Sequence, residues 1–174
     1  PKEIEYLTFY PTTIFDISQT EGKPLPVMAE ELNGQVTDYG IIIDSLKETA
    51  PAPIRFESWE ESKKGYFSPL LNEIVIKSGM SELQTVKTGI HETAHSILHS
   101  GINNLKDSAT METEAESIAF IVCCHLGLDT SSYSFPYLAT WSSSKELPEL
   151  KSSLSTIQKT AHGLIENLDQ AILK

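Results

Sequence analysis

The sequence lacks any apolar run approaching the roughly 18 residues that a membrane-spanning helix needs. It also lacks a basic stretch followed by an apolar segment, which is the pattern of a secretory signal peptide. The chain begins at Pro1 rather than at a methionine, so we expect it to be a piece of a longer protein. We expect a single domain over residues 1–174, in which residues 1–30, punctuated by proline and glycine, form a largely irregular lead-in.

Basic residues are scarce. The chain has 13 Lys and Arg against 24 Asp and Glu, which gives a formal net charge of -11. Binding to nucleic acid phosphates needs clustered Lys and Arg, so we expect no direct nucleic acid binding by this domain. A DNA-binding domain elsewhere in the parent chain stays open. We expect a protein or peptide as the partner, and no membrane.

Cysteine is nearly absent as well. The two cysteines, Cys123 and Cys124, are adjacent, and neighbours on one helix point about 100° apart and rarely form a disulfide. Without other partners they cannot build a disulfide framework, and this favours a reducing, cytoplasmic location.

Hydrophobic periodicity predicts an α+β domain, with a small antiparallel sheet packed on one central helix and further helices after it. Ser81 and Gln84 have the spacing of a capping box, so that central helix should begin at Ser81, and Gly101 should end it. Its predicted core face is Leu83, Val86, Ile90, Ala94 and Ile97. The other predicted elements are helices at about 36–47, 111–125 and after Pro148, strands at 54–57, 65–68 and 73–77, and a short helix or turn at 133–141.

The central helix carries the pattern H-E-x-x-H from His91 to His95. Residues four apart on a helix differ by about 40° around the axis and about 6 Å along it, so the imidazoles of His91 and His95 can bind one zinc ion. Glu92 would lie beside them and serve as general base, taking a proton from water as it attacks a carbonyl. The competing interpretation is a chance match of two surface histidines.

A third ligand is expected from the acidic segment at the start of the next helix. Glu112 and Glu116 share one face, whereas Glu114 should point to solvent. We predict that Glu112 binds the metal and that Glu116 accepts a hydrogen bond from a ligand imidazole, although the reverse assignment stays open. His99 lies one turn beyond His95, too far to join the same ion comfortably, and we expect it to support a ligand or to pack between helices.

Several segments together resemble the zincin-like peptidase domain of ArdC-type antirestriction and LtrC-like proteins, and more distantly the ImmA/IrrE peptidases. The segments that carry this resemblance are Phe15–Gly22, Gly65–Pro69, Glu73–Lys77, Gly79–Glu82, the run HETAHSILH at His91–His99, Glu112-x-x-Ala115-Glu116 with Ile118-Ala119, and the aromatic stretch Tyr133–Trp141. The resemblance implies a zincin-like fold, a zinc cofactor, a cytoplasmic setting on a mobile genetic element, and Glu112 as the carboxylate ligand. Glu116 stands where the ImmA/IrrE relatives have Asn.

Peptide hydrolysis also needs a donor to the developing oxyanion, and Tyr66, Tyr133 and Tyr137 are candidates, with packing as the alternative role for each. The strand 73–77 could be the sheet edge that aligns an extended peptide. The predicted function is therefore a zinc metallopeptidase, while Mn, Ni or Co could occupy the same donors. The alternative is a catalytically silent, zinc-containing binding module that protects mobile DNA.

Overall fold

A computed structural model of the protein describes residues 31–100, 107–142 and 147–174, without the side chains of Tyr137, Thr140, Trp141, Ser142 and Leu147. The predicted lead-in 1–30, with its segment Phe15–Gly22, falls outside the described residues. The elements in chain order are α1 (Tyr39–Thr49), β1 (Ile54–Glu57), β2 (Gly65–Ser68), β3 (Glu73–Lys77), α2 (Glu82–Leu98), α3 (Ser108–His125), α4 (Ser131–Ser142) and α5 (Leu147–Ile172). The predicted α+β class is confirmed. No helix within the described ranges has the length and hydropathy needed to cross a membrane.

The three strands form one mixed sheet in the order β1-β3-β2. β2 pairs antiparallel with β3, as predicted, but β1 pairs parallel with β3, so the prediction of a purely antiparallel sheet was wrong. β3 takes the centre because Ile74, Val75 and Ile76 are all fully buried, a continuous apolar run that suits a strand covered on both faces. β2 is therefore an edge strand.

The central helix α2 begins where its cap was predicted. The Ser81 hydroxyl accepts a hydrogen bond from the Gln84 backbone N–H at 3.1 Å. The reciprocal half of the capping box does not form, because the Gln84 side chain instead accepts from the Leu32 backbone N–H and donates to Thr88, each at 3.1 Å. The Gln84 side chain therefore ties the segment before α1 to the first turns of α2.

The core lies where α2 and α3 meet α1 and α5. On α2 the predicted core residues Val86, Ile90 and Ala94 are fully buried, but Ile97 is 41% exposed, so its assignment to the core was wrong. The main core cluster is completed by Ile42, Ile43 and Leu46 of α1, by Ala115, Ile118, Ala119, Val122 and Cys123 of α3, and by Ile157, Ala161, Leu164 and Leu168 of α5.

Helix α3 starts three residues before the predicted Met111. Asp107 caps it: one carboxylate oxygen accepts from the Thr110 backbone N–H at 2.9 Å, and the other accepts from the Thr110 hydroxyl at 2.8 Å. Because the cap lies at Asp107, the acidic segment 112–116 falls in the second turn and the start of the third turn of the helix, which packs against α2.

Candidate metal centre

The two histidines of the H-E-x-x-H pattern converge on one point. The Nε2 atoms of His91 and His95 are 3.1 Å apart, and their rings stand nearly edge to face at 71°. The carboxylate of Glu112, on α3, lies 3.4 Å from each of these Nε2 atoms. In the described part of the chain these three side chains form a group whose potential ligand atoms all lie within 4.8 Å of one another.

The donor set fits a divalent cation. Two imidazole nitrogens and a carboxylate repel one another when their lone pairs face each other at these distances, unless a proton or a cation lies between them. The side chains of His91 and His95 are each 14% exposed, whereas that of Glu112 is 54% exposed. The two imidazoles are therefore packed against the protein, and the Glu112 side of the group is open to solvent. An open position on the ion is what distinguishes catalytic from structural metal sites.

The protonation of the group reflects the same crowding. Burial alone would lower the pKa of His91, but the carboxylates of Glu112 and Glu116 outweigh burial and raise that pKa to about 9. The adjacent imidazoles of His91 and His95 hold the pKa of Glu112 well below its usual range. Without metal, the raised pKa of His91 favours a proton on this imidazole beside the two carboxylates, and a bound cation would have to displace that proton.

Glu116 lies behind His91 rather than in front of it. Its Oε2 is 3.2 Å from Nδ1 of His91, the ring nitrogen that faces away from His95 and Glu112. This buried Nδ1 forms no hydrogen bond within the described residues, so Glu116 is an acceptor within reach and not a formed partner. This placement agrees with the predicted roles of the two glutamates; the roles themselves stay a prediction.

His99 and Glu114 stand behind the other imidazole. Nδ1 of His99 is 3.0 Å from Nδ1 of His95, and Nε2 of His99 is 3.4 Å from a carboxylate oxygen of Glu114. Glu114 is fully buried, so the prediction that it points to solvent was wrong. The reason is that every residue of α3 from 113 to 119 is buried, which leaves this part of the helix no solvent face.

The contacts that run from Glu114 through His99 to His95 fit one set of ring tautomers. With the Glu114 carboxylate ionised it can only accept, which corresponds to the His99 tautomer with hydrogen on Nε2. Nδ1 of His99 is then an acceptor, and Nδ1 of His95 must donate to it. Nε2 of His95 is thereby left with its lone pair directed toward His91 and Glu112, which is the form that binds a metal.

Glu92 lines the cleft next to these residues. It is buried, with 8% of its surface exposed. Two adjoining hollows, of about 550 Å³ and about 240 Å³, are both lined by His91, Glu92 and Glu112. Glu92 is thus placed to meet a molecule that enters the cleft beside the three candidate ligands.

The tyrosines lie at the cleft wall. Tyr66 of β2 lines the larger hollow, with Lys63 Nζ 4.5 Å from its ring centroid. Tyr133 of α4 lines the smaller hollow, and its ring covers Lys87 Nζ at 3.8 Å. The Tyr137 side chain lies outside the described residues. These contacts give Tyr66 and Tyr133 packing roles; a role as oxyanion donor stays a prediction.

The strand that borders the cleft is β2, not β3. β3 is paired on both sides, so the prediction that it offers a free edge to a peptide was wrong. In the described residues β2 pairs only with β3, and Gly65, Tyr66 and Phe67 line the larger hollow. A central strand cannot accept another chain, whereas an edge strand can.

Sequence reasoning missed Lys87 and Ser134. Lys87 is buried, four residues before His91 on α2, and its Nζ lies 2.5 Å from Glu116. The Ser134 hydroxyl donates to the other oxygen of Glu116 at 2.6 Å. The i, i+4 spacing of Lys87 and His91 places them on one helix face, which is the signal that could have identified Lys87.

Comparison with known proteins finds a fold similar to that of an antirestriction protein. No protein-family model matches the chain. Over 102 residues, or 58% of the chain, it is 35% identical to the uncharacterized protein pXO2-81 of Bacillus anthracis, and it spans 17% of that protein's length.

The fold is similar to that of the antirestriction ArdC protein from the R388 plasmid. Its Mn(II)-bound crystal structure gives a TM-score of 0.55 at 22% identity, over 88% of this chain and 61% of that one. The metal-free structure gives 0.54 at 22% identity, over 90% and 60%. At this identity the likeness is one of fold, and at that level it agrees with the ArdC-type resemblance seen in the sequence.

Proposed function

We propose that this domain is a metal-dependent peptidase of the zincin type that acts on a protein in the antirestriction setting of a mobile genetic element. The observation that carries the proposal is the convergence of His91 Nε2, His95 Nε2 and the Glu112 carboxylate at the wall of an open cleft. The fold shared with the R388 ArdC protein supports the setting.

The three side chains would hold one divalent ion, with zinc as the proposed metal. Imidazole and carboxylate donors also suit manganese, the metal in the ArdC structure. A bound ion would supply Lewis acidity, polarising a carbonyl and making water a nucleophile at neutral pH. The Glu114–His99 pair keeps the His95 lone pair available on Nε2, and Glu116 lies where it can do the same for His91.

Glu92 would supply the proton transfers. Its carboxylate would accept a proton from water as the water attacks the peptide carbonyl, and would then pass a proton to the departing amine. Its low exposure keeps bulk water away from the carboxylate, and the neighbouring hollows leave room for substrate. Tyr66 and Tyr133 border these hollows and are the proposed donors to the oxyanion.

The substrate would bind as an extended segment along β2. The outer edge of β2, which pairs with no other strand within the described residues, can pair with a peptide by strand addition, with pockets for alternate side chains. Because β2 lines the larger hollow, a segment paired there would run past Glu92 and the metal ligands. This arrangement favours a flexible or locally unfolded part of a target protein as the substrate.

A Glu92→Gln variant tests the proposal against a silent binding module. The amide cannot accept the proton, so cleavage should fall about 10²–10⁴-fold while metal content is unchanged. New protein termini in a cell extract supplied with zinc would be counted by mass spectrometry. Glu48→Gln, on an exposed residue of α1, is the matched control. If Glu92→Gln cleaves as well as wild type, or protects incoming DNA equally well without any cleavage, the peptidase proposal is wrong.

A further inference from the structure

Lys87 occupies an unusual place for a lysine. It is 3% exposed, on the turn of α2 that precedes His91. Its Nζ lies 2.5 Å from Glu116 Oε2 and 3.8 Å from the centroid of the Tyr133 ring. A buried ammonium group is tolerated only when it is paired, and here a carboxylate and an aromatic face provide the pairing. A residue kept buried at such cost calls for a role beyond filling space.

The carboxylate paired with Lys87 is held at both oxygens. Glu116 Oε2 accepts from Lys87, and Oε1 accepts from the Ser134 hydroxyl at 2.6 Å. With both oxygens engaged, the carboxylate cannot swing freely about its side chain. The same carboxylate also lies 3.2 Å from the buried Nδ1 of His91. The contacts therefore run in one line from Lys87 through Glu116 to a candidate metal ligand.

We propose that Lys87 is a positioning residue of the metal centre. By fixing Glu116 behind His91, it orients the His91 ring with Nε2 toward His95 and Glu112, and it keeps Glu116 from replacing Glu112 as the carboxylate ligand. The inference rests on the metal site of the proposed function, but not on peptidase activity, because its test measures metal binding.

A purely electrostatic role for Lys87 predicts the opposite result. A positive charge near the site repels a cation, so its removal would strengthen metal binding if charge alone mattered. Removal of a positioning residue instead weakens binding, since partners that orient a ligand imidazole contribute about 10–100-fold in affinity. The sign of the change in affinity therefore separates the two roles.

The experiment compares Lys87→Met, Glu116→Gln and the double variant with wild type. Zn²⁺ affinity would be measured by competition with a chromophoric chelator, and the d–d absorption of bound Co²⁺ would report ligand geometry. Lys47→Met is the matched control, because Lys47 also has an ion pair and a nearby ring, with Asp44 and Phe56, but is exposed on α1. The unfolding midpoint of each metal-free protein would show whether folding is affected; the double variant leaves no unpaired buried charge.

Each single variant should bind Zn²⁺ about 10–100-fold more weakly than wild type and change the Co²⁺ spectrum. The double variant should be no weaker than the weaker single variant, because both residues act along one path. Equal or tighter binding by Lys87→Met, or additive losses in the double variant, would overturn the inference. If Lys87→Met does not fold, a double variant that binds much more weakly than Glu116→Gln overturns it. If wild type binds no metal, the metal site of the proposed function fails as well.

Discussion

Adding one methyl group at Gly65 should destabilise the protein, because β2 lies directly against α2 at this residue. A Cβ atom there would lie 2.8 Å from Thr88 Cγ2, 3.0 Å from the Val75 carbonyl oxygen and 3.3 Å from Glu92 Cγ. The Val75 oxygen belongs to the backbone of the central strand and cannot move without disturbing the sheet. The strand must therefore shift outward, or Glu92 must move.

The expected loss follows from these contacts. Overfilling a packed site costs about 1–3 kcal/mol, and replacing a strand glycine recovers about 0.5–1 kcal/mol of that. Gly65→Ala should therefore lower the free energy of unfolding by about 1 kcal/mol, within a range of about 0–2.5 kcal/mol. At Gly89 the new Cβ would meet only the ends of the Leu46 and Ile76 side chains, at 2.7 Å and 3.2 Å. These ends can shift, and the gain in helix propensity of about 1 kcal/mol should leave Gly89→Ala near neutral.

Gly163→Ala is the control, since a Cβ at that position of α5 would meet none of the described residues within 4 Å. It should stabilise the protein by about 0.5–1 kcal/mol. Urea unfolding of the three variants without metal measures the order of their stabilities, and peptide cleavage by the same variants after zinc is added measures the displacement of Glu92. If Gly65→Ala proves as stable as Gly163→Ala, the close contact of β2 with α2 is not as described.

The other predictions concern the metal ligands. Glu114→Gln replaces a carboxylate with an amide that can also donate a hydrogen bond to His99. Zn²⁺ binding, measured by competition with a chelator, should weaken about 10-fold or more. Glu166→Gln is the control, because Glu166 is in an exposed pair with His162, and its Zn²⁺ affinity should equal that of wild type. Because the pKa of His91 is raised to about 9, metal binding near neutral pH should release about one proton, and affinity should rise as the pH approaches that value. Calorimetric enthalpies in buffers of different ionisation enthalpy measure this release, and a buffer-independent enthalpy contradicts it. In the metal-free protein the protonated His91 should stabilise the fold at acidic pH and lose that contribution as the pH rises from about 6.5 to 9.

Local signals in the sequence were enough to locate the helices and strands. The three strands begin and end as predicted, and the Ser81 cap marks the start of α2. Such features depend on residues close in sequence, where capping, turn chemistry and periodicity act. The H-E-x-x-H pattern belongs with them, because helix geometry alone brings two imidazoles one turn apart together.

Strand pairing could not be obtained in this way. β1 pairs in parallel with β3, although β2 lies between these two strands in the sequence. Nothing in the residue pattern of β1 or β3 indicates which strand is its partner. The buried run Ile74–Ile76 marks β3 as central, and a reading of that run would have shown that β2 must be the edge. The location of the cleft beside β2 follows from this non-local pairing.

The burial of charged residues was the other feature that could not be predicted from the sequence. A helical wheel of α3 alone places Glu114 opposite Glu112, which suggests solvent, but α2, α4 and α5 all pack against this helix. On the wheel of α2, Lys87 lies beside the core face, but the wheel does not show that α3 and α4 supply Glu116 and Tyr133 as its partners. Only the arrangement of several helices reveals that these charges support the histidines.

The most direct measurement is anomalous diffraction from crystals grown with equimolar zinc. A single strong peak should lie about 2.0–2.2 Å from the Nε2 atoms of His91 and His95 and from a carboxylate oxygen of Glu112. A well-ordered protein without density at that point, or an ion held by other side chains, would contradict the metal centre on which the proposed chemistry depends.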